Sequence, residues 1–220
     1  MSCAVVIPCF NESATIAPLV VAIRQRFHLV IVVDDGSTDN TACEAGEAGA
    51  CVVRHGRNRG KGAALRTGLS EARKRGARWA FTLDGDGQHS PDDLPGFLRC
   101  AEQTGALLVV GNRMHNPDAM TWVRRQVNDW MSRQLSRRAG TRLPDTQCGF
   151  RLFHLPTWGA LSLKAEHFEA ESEMLMAFLG ARYPVAFVPI RVISHRRNSR
   201  INPVVDSLRW WRWWRGLARP

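Results

Sequence analysis

Apolar and polar positions alternate in blocks along the first half of the chain. Cys3 to Pro8 is a short β-branched apolar run, the signature of a buried strand. Asn11 to Ser13 supply turn and cap residues, and Ile16, Leu19, Val20 and Ile23 then recur at helical spacing, predicting a helix over Thr15 to Phe27. Leu29 to Val33 predicts a second strand, ending in Asp34-Asp35-Gly36-Ser37, and Thr38 or Asp39 can cap a helix running to Ala48. Cys51 to Arg54 predicts a third strand. In the helix predicted over Gly60 to Arg75, Ala64, Leu65, Leu69 and Ala72 form one apolar face. Trp79 to Leu83 is the fourth strand, Pro91 opens a helix at its first turn, and Leu107 to Val110 is the fifth strand.

This β-α alternation over residues 1–111, with strands that are continuous apolar runs, predicts a parallel sheet covered on both faces. Ligands of such sheets bind beyond the carboxyl ends of the strands. Asn11-Glu12, Asp34-Asp35 and Asp84-Gly85-Asp86 follow three of those ends, so three polar clusters are expected on one edge. The second half is less regular. It reads as an arginine-rich helix over Trp122 to Ala139, a loop over Thr141 to Gly149, a helix over Glu171 to Ala181, and strands over Val185 to Val188 and Arg191 to Ser194. The expected organisation is one domain over residues 1–202 and a basic, tryptophan-rich tail over 203–220.

Charge sharpens the picture. The chain has 220 residues and a formal net charge of +10, which calls for an anionic partner. Seven arginines and one aspartate put +6 of that charge into residues 194–220. A nucleic-acid surface spread over the fold is therefore disfavoured, and no nucleic acid is expected as partner. The six cysteines form no CxxC pair, which argues against a zinc ribbon or a disulfide framework and for a reducing compartment. The start of the chain lacks the pattern of a signal peptide, and no run of 18 apolar residues occurs, so a cytoplasmic protein held peripherally at a membrane is expected.

Asp84-Gly85-Asp86 sets two carboxylates two residues apart past a strand. It can hold a hard divalent cation, with the glycine letting the backbone approach, or it can be an ordinary Asp-Gly turn. Asp34-Asp35 can face ribose hydroxyls and a base N–H, or cap the following helix. Arg57 to Gly62, with Lys61, leads cations and glycines into a helix N-terminus, a favourable place for phosphate; it lacks the P-loop spacing. Glu169, Glu171 and Glu173 more simply complement a helix dipole.

Taken in order, VVIPCFNE (5–12), VVDDGSTDNT (32–41), RNRGKGAALRTG (57–68), LDGDGQHSP (83–91), GNR (111–113) and DTQCGFRLF (145–153) resemble the family 2 glycosyltransferases of GT-A fold, and within them the polyprenyl- or dolichol-phosphate mannosyltransferase-like branch. The resemblance implies an α/β fold with a mostly parallel sheet and an inverting, metal-dependent transfer from a GDP- or UDP-sugar to a lipid phosphate. The alternatives are transfer to a hydroxyl of another lipid or glycan, and a module that binds a nucleotide-sugar without catalysis. The resemblance implies that Pro8, Phe10, Glu12, Val33 and Asp35 line the nucleoside pocket. Asp84, Gly85 and Asp86 would form the DxD motif, and Gln88 would complete a Mg2+ or Mn2+ site. Arg113 would contact the donor, as would a basic residue of HRRNSRIN (195–202), here assigned to Arg197. Arg124 and Asn128, four apart on one helix face, would receive the acceptor phosphate, and Asp145 would stand at the acceptor side. Asp145 is also the first candidate for a base if the acceptor is a hydroxyl.

Leu208 to Leu217 places four of the eight tryptophans among arginines. At helical spacing Trp210, Trp214 and Leu217 share one face, the pattern of an in-plane membrane anchor binding an anionic surface, or of a helix packed on the domain.

Overall fold

The computed structural model describes residues 2–115, 121–193 and 203–216, the side chains of 203–206 excepted. Its elements are β1 (Cys3–Cys9), α1 (Ser13–Arg24), β2 (Leu29–Asp34), α2 (Thr41–Glu47), β3 (Cys51–Arg54), α3 (Lys61–Lys74), β4 (Trp79–Thr82), α4 (Leu94–Thr104), β5 (Leu108–Asn112), α5 (Trp122–Ala139), β6 (Arg151–His154), α6 (Leu155–Trp158), α7 (Ala170–Gly180), β7 (Val185–Pro189) and α8 (Pro203–Gly216). Short 3-10 turns over Pro91–Asp93 and Arg113–His115 precede α4 and follow β5.

The seven strands form one sheet in the order β3-β2-β1-β4-β6-β5-β7. Four of the five strands predicted for the first half pair in parallel, β1 with β2 and β4, and β2 with β3, while the fifth, β5, pairs in parallel with β7. Their cores, such as Val5, Val6, Ile7, Ile31 and Val32, are fully buried, as continuous apolar runs covered on both faces must be. Gly68 lets α3 lie against β1 and β2, because a β-carbon there would collide with Val6 Cγ1.

The chain after Leu143 changes the sheet. In the sequence β6 is only the end of a motif, yet the strand inserts between β4 and β5, antiparallel to both. Its four residues are too few to show a period, and it begins with an arginine. That arginine, Arg151, is buried and donates to three backbone carbonyls, those of Cys148, Thr146 and Glu171. A buried guanidinium satisfied by carbonyls is a tertiary solution invisible to hydropathy. The strand expected over Arg191 to Ser194 is a single bridge, Val192 with His89, and Ser194 lies outside the described residues.

The antiparallel β6 decides the geometry of the edge. β1, β2, β4 and β5 all end there, while β6 begins there, so Cys148-Gly149-Phe150 meets the carboxyl ends of its neighbours.

Candidate active site

At the end of β4, Asp84 Oδ1 lies 2.6 Å from Lys61 Nζ, and Lys61 Nζ lies 2.6 Å from Glu171 Oε1. Lys61 enters from the first turn of α3 and Glu171 from the first turn of α7, so one ammonium ties three elements together. Burial opposes charge on Asp84 and on Lys61. Around Asp84 the Lys61 charge and the contact toward His89 override it and hold the carboxyl far below its usual range. Around Lys61 the two carboxylates likewise override burial and push the ammonium up. Asp86 differs: burial, then the Asp84 charge, raise its carboxyl, and the Gln88 N–H donates to it in return.

This contrast bears on the metal. Asp84 already has a cation, whereas Asp86 is held beside a like charge, so added positive charge would relieve it. Two carboxylates and the half-buried Gln88 suit a hard cation that completes its shell with water and diphosphate oxygens. These residues could hold Mg2+ or Mn2+, and among the described residues Asp86 is the carboxylate with no cation of its own. Among the described residues no group of three or more His, Cys, Asp or Glu side chains is arranged to hold an ion unaided. His89 is buried on Phe150, its Nδ1 without a partner among the described residues and its Nε2 3.8 Å from Asp84.

Across the edge, Arg113 grips Asp145 with Nε at 2.8 Å and Nη2 at 2.9 Å, and its backbone N–H donates to the same carboxylate at 3.1 Å. Asn128 Nδ2 and the Gln147 N–H donate to Asp145 Oδ1 as well. Asp145 is 0% exposed. Burial would raise its carboxyl, but the Arg113 charge and these hydrogen bonds hold it below the usual range. A buried, fully engaged, depressed carboxylate of this kind suits the positioning of Arg113. Asn128, expected to meet the acceptor, donates to Asp145 and accepts from Ser132. Arg124, on the same side of α5, faces the site. Burial and then Arg113 lower its affinity for a proton, while Asp86 and Asp84 act the other way. Among the described residues Arg124 makes no ion pair and Arg113 Nη1 has no partner, so both cations have capacity to spare.

On the β1–β2 side, Asp35 accepts the backbone N–H groups of Arg59 at 3.0 Å and Gly60 at 2.8 Å, and sits 2.6 Å from His55 Nδ1. It therefore braces the loop into α3. Val33 is buried and its side chain turns toward α3 at Gly68. Pro8 is buried and Phe10 exposed at the edge. The Glu12 N–H donates to Thr41 Oγ1, and Thr15 Oγ1 links Glu12 to the Gly85 carbonyl, joining α1 to the Asp-Gly-Asp turn. Gly85 allows that approach, since a β-carbon would fall 2.6 Å from Cys9 Sγ. Arg197 lies outside the described residues. The sequence offers Lys61 as a phosphate ligand but not its link to Glu171, because 110 positions separate the two.

A mostly parallel seven-stranded sheet flanked by helices, with an Asp-Gly-Asp turn and clustered cations at its carboxyl edge, defines the GT-A class of sugar transferases. The chain belongs to glycosyl transferase family 2, whose family model matches residues 4–156. It is 31% identical over 211 residues to a UDP-N-acetylglucosamine–dolichyl-phosphate N-acetylglucosaminyltransferase of Methanococcus voltae, covering 86% of this chain and 84% of that protein. It is 27% identical over 224 residues to an undecaprenyl-phosphate mannosyltransferase of Micrococcus luteus, covering 93% and 92%. Among solved structures, glucosyl-3-phosphoglycerate synthase from Mycobacterium tuberculosis, in complex with Mn2+, UDP and phosphoglyceric acid, superposes with a TM-score of 0.72 at 21% identity, covering 96% of this chain and 75% of that one. At that identity the likeness establishes the shared fold.

Proposed function

We propose that this glycosyltransferase moves a sugar, with inversion, from a GDP- or UDP-sugar to a lipid phosphate of the polyprenyl type, at the cytoplasmic face of a membrane. The observation that carries the acceptor is the commitment of Asp145. A hydroxyl acceptor needs a base within hydrogen-bond reach, and the carboxylate expected there is bound to Arg113, Asn128 and Gln147. A phosphate oxygen is already anionic and needs none. Arg124 and Arg113, both with donors to spare, suit such an acceptor, and the activities named for the Methanococcus and Micrococcus relatives support it. Catalysis then rests on positioning and on charge stabilisation of the leaving nucleotide. Mg2+ or Mn2+ held by Asp86, with Asp84 and Gln88 beside it, would supply the charge that neutralises the leaving diphosphate. Lys61 keeps Asp84 ionised and in place, Asp145 aims the Arg113 fork, and Asp35 fixes the loop beneath the nucleoside.

The test is transfer from a panel of UDP-, GDP- and dTDP-sugars to polyprenyl phosphate, with and without Mg2+ or Mn2+. Turnover with one donor, dependent on metal and lost in Asp86→Ala, is expected. Absence of turnover and of metal-dependent nucleotide binding with every donor would instead mark a binding module without catalysis. Turnover with a hydroxyl acceptor but not with the lipid phosphate would overturn the acceptor assignment.

A further inference from the structure

The tail does not stand away from the domain. Trp210 is 2% exposed, its Nε1 donates to Ser172 Oγ at 2.9 Å, and its ring meets Trp130 of α5 edge-on at 5.5 Å. Trp214 stacks on Trp210 at 6.3 Å and lies under the Arg138 guanidinium. Trp210 and Trp214, the face that the sequence assigns to a membrane, therefore hold α8 against α5 and α7.

What remains outside lies on both helices. On α5, Trp122 is 72% exposed and Val123 and Trp130 are exposed beside it; on α8, Leu208 is 51% and Trp211 41% exposed. Arg125 and Arg137 of α5 and Arg212 and Arg215 of α8 are exposed too, with Arg215 over the Trp211 ring at 4.6 Å. The acid that shares the α5 surface, Asp129, is paired with Arg133. Exposed tryptophans set among arginines match the interface of a bilayer with anionic headgroups, where the rings lie at headgroup depth and the guanidinium groups meet phosphate.

We propose that α5 and α8 together form one face that docks in the plane of an anionic bilayer. This deepens the lipid-phosphate reading and rests on it. The inward side of α5 presents Arg124 to the site and Asn128 to Asp145, while its outward side carries Trp122, Trp130 and Arg137. One helix thus separates the membrane from the catalytic edge. A lipid phosphate can keep its chain in the bilayer and bring its head to Arg124 at the start of the helix. Anchoring by the tail alone makes no use of Trp122 or Arg137.

The test is co-sedimentation of the full chain with vesicles of phosphatidylcholine alone or with phosphatidylglycerol added, for the wild type and for Trp122→Ala, Arg137→Gln, Trp211→Ala and Arg212→Gln. Binding only to the anionic vesicles is expected. Each arginine substitution should weaken the partition about fivefold, each tryptophan substitution several-fold, and the Trp122→Ala/Trp211→Ala pair should approach background. Wild-type binding by Trp122→Ala and Arg137→Gln would overturn the shared face in favour of the tail alone. Equal binding to both vesicles, displacement from vesicles by single-stranded RNA, or burial of the tryptophans in a dimer seen by gel filtration would each overturn the bilayer as occupant. Metal-dependent nucleotide-sugar binding and thermal midpoint, measured without vesicles, should be unchanged in the variants. Loss of donor binding in the wild type with vesicle binding intact would count against the transferase reading and leave the docking face in place.

Discussion

Gly149 packs directly against the Lys61–Asp84 pair. A β-carbon there would lie 2.8 Å and 2.9 Å from the Asp84 carboxylate oxygens and 2.9 Å from Lys61 Nζ, while its own carbonyl accepts from Thr82 Oγ1 at 2.7 Å. Gly149→Ala must displace the Lys61–Asp84 pair, and we expect at least a roughly tenfold loss of kcat, about 1.4 kcal/mol in the barrier, with a small change in thermal midpoint. Asp145 gives a prediction of a different kind. Asp145→Asn strands Arg113 in a buried site, a change that costs about 3–5 kcal/mol. The sign with pH follows from the depressed carboxyl. The pair's stabilisation is complete above the unfolded carboxylate value of about 3.9 and is lost as pH falls through the lower folded value. Wild-type stability should therefore decline on acidification where that of Asp145→Asn is flatter, as denaturant titrations from acid to neutral pH would reveal.

Among the elements, β6 and α8 matter most. β6 brings the Cys148-Gly149-Phe150 corner to the edge because it runs against its neighbours. α8 is held by the Trp210 indole, and removing a buried tryptophan costs roughly 3–5 kcal/mol when the whole fold depends on it. In Trp210→Ala we expect that loss to appear first as release of α8, with rapid cleavage after the tail arginines in limited trypsin digestion and a smaller drop in the main unfolding transition. Unchanged cleavage would mean that α8 is held by Trp213 and Trp214 alone.

The molecule as a whole couples the edge to stability. Asp84, Asp86, Lys61, Glu171, Arg113 and Arg124 crowd one place, and burial, then the like charge of Asp84, raises the Asp86 carboxyl. Mg2+ or Mn2+ with a nucleoside diphosphate at about one hundred times its dissociation constant should stabilise by about 2.7 kcal/mol. For a protein of this size that corresponds to roughly 5–11 °C in thermal midpoint. Asp86→Asn should lose this increment while gaining slightly in the absence of ligand, since it removes one member of a repelling pair. A full ligand-induced shift in Asp86→Asn would remove Asp86 from the metal site.

Local signals in the chain suffice for the parallel half of the sheet, because continuous apolar strands followed by amphipathic helices admit few other arrangements. Period, caps and motif spacing also suffice to set Asp34-Asp35, Asp84-Gly85-Asp86 and Arg113 after strands at the ligand edge. What those side chains do there is a matter of tertiary packing. Pairings such as Lys61 with Glu171, Arg113 with Asp145 and Trp210 with Ser172 join residues 32 to 110 positions apart, beyond the reach of any local pattern. Packing set Asp145 against the Arg113 fork and placed β6 inside the sheet. It also turned inward part of a tail that reads as a membrane face. A helix with aromatic residues on several sides can bury any of them, and the choice falls to the side that finds a complementary surface: here Trp130 on α5 and the hydroxyl of Ser172 on α7.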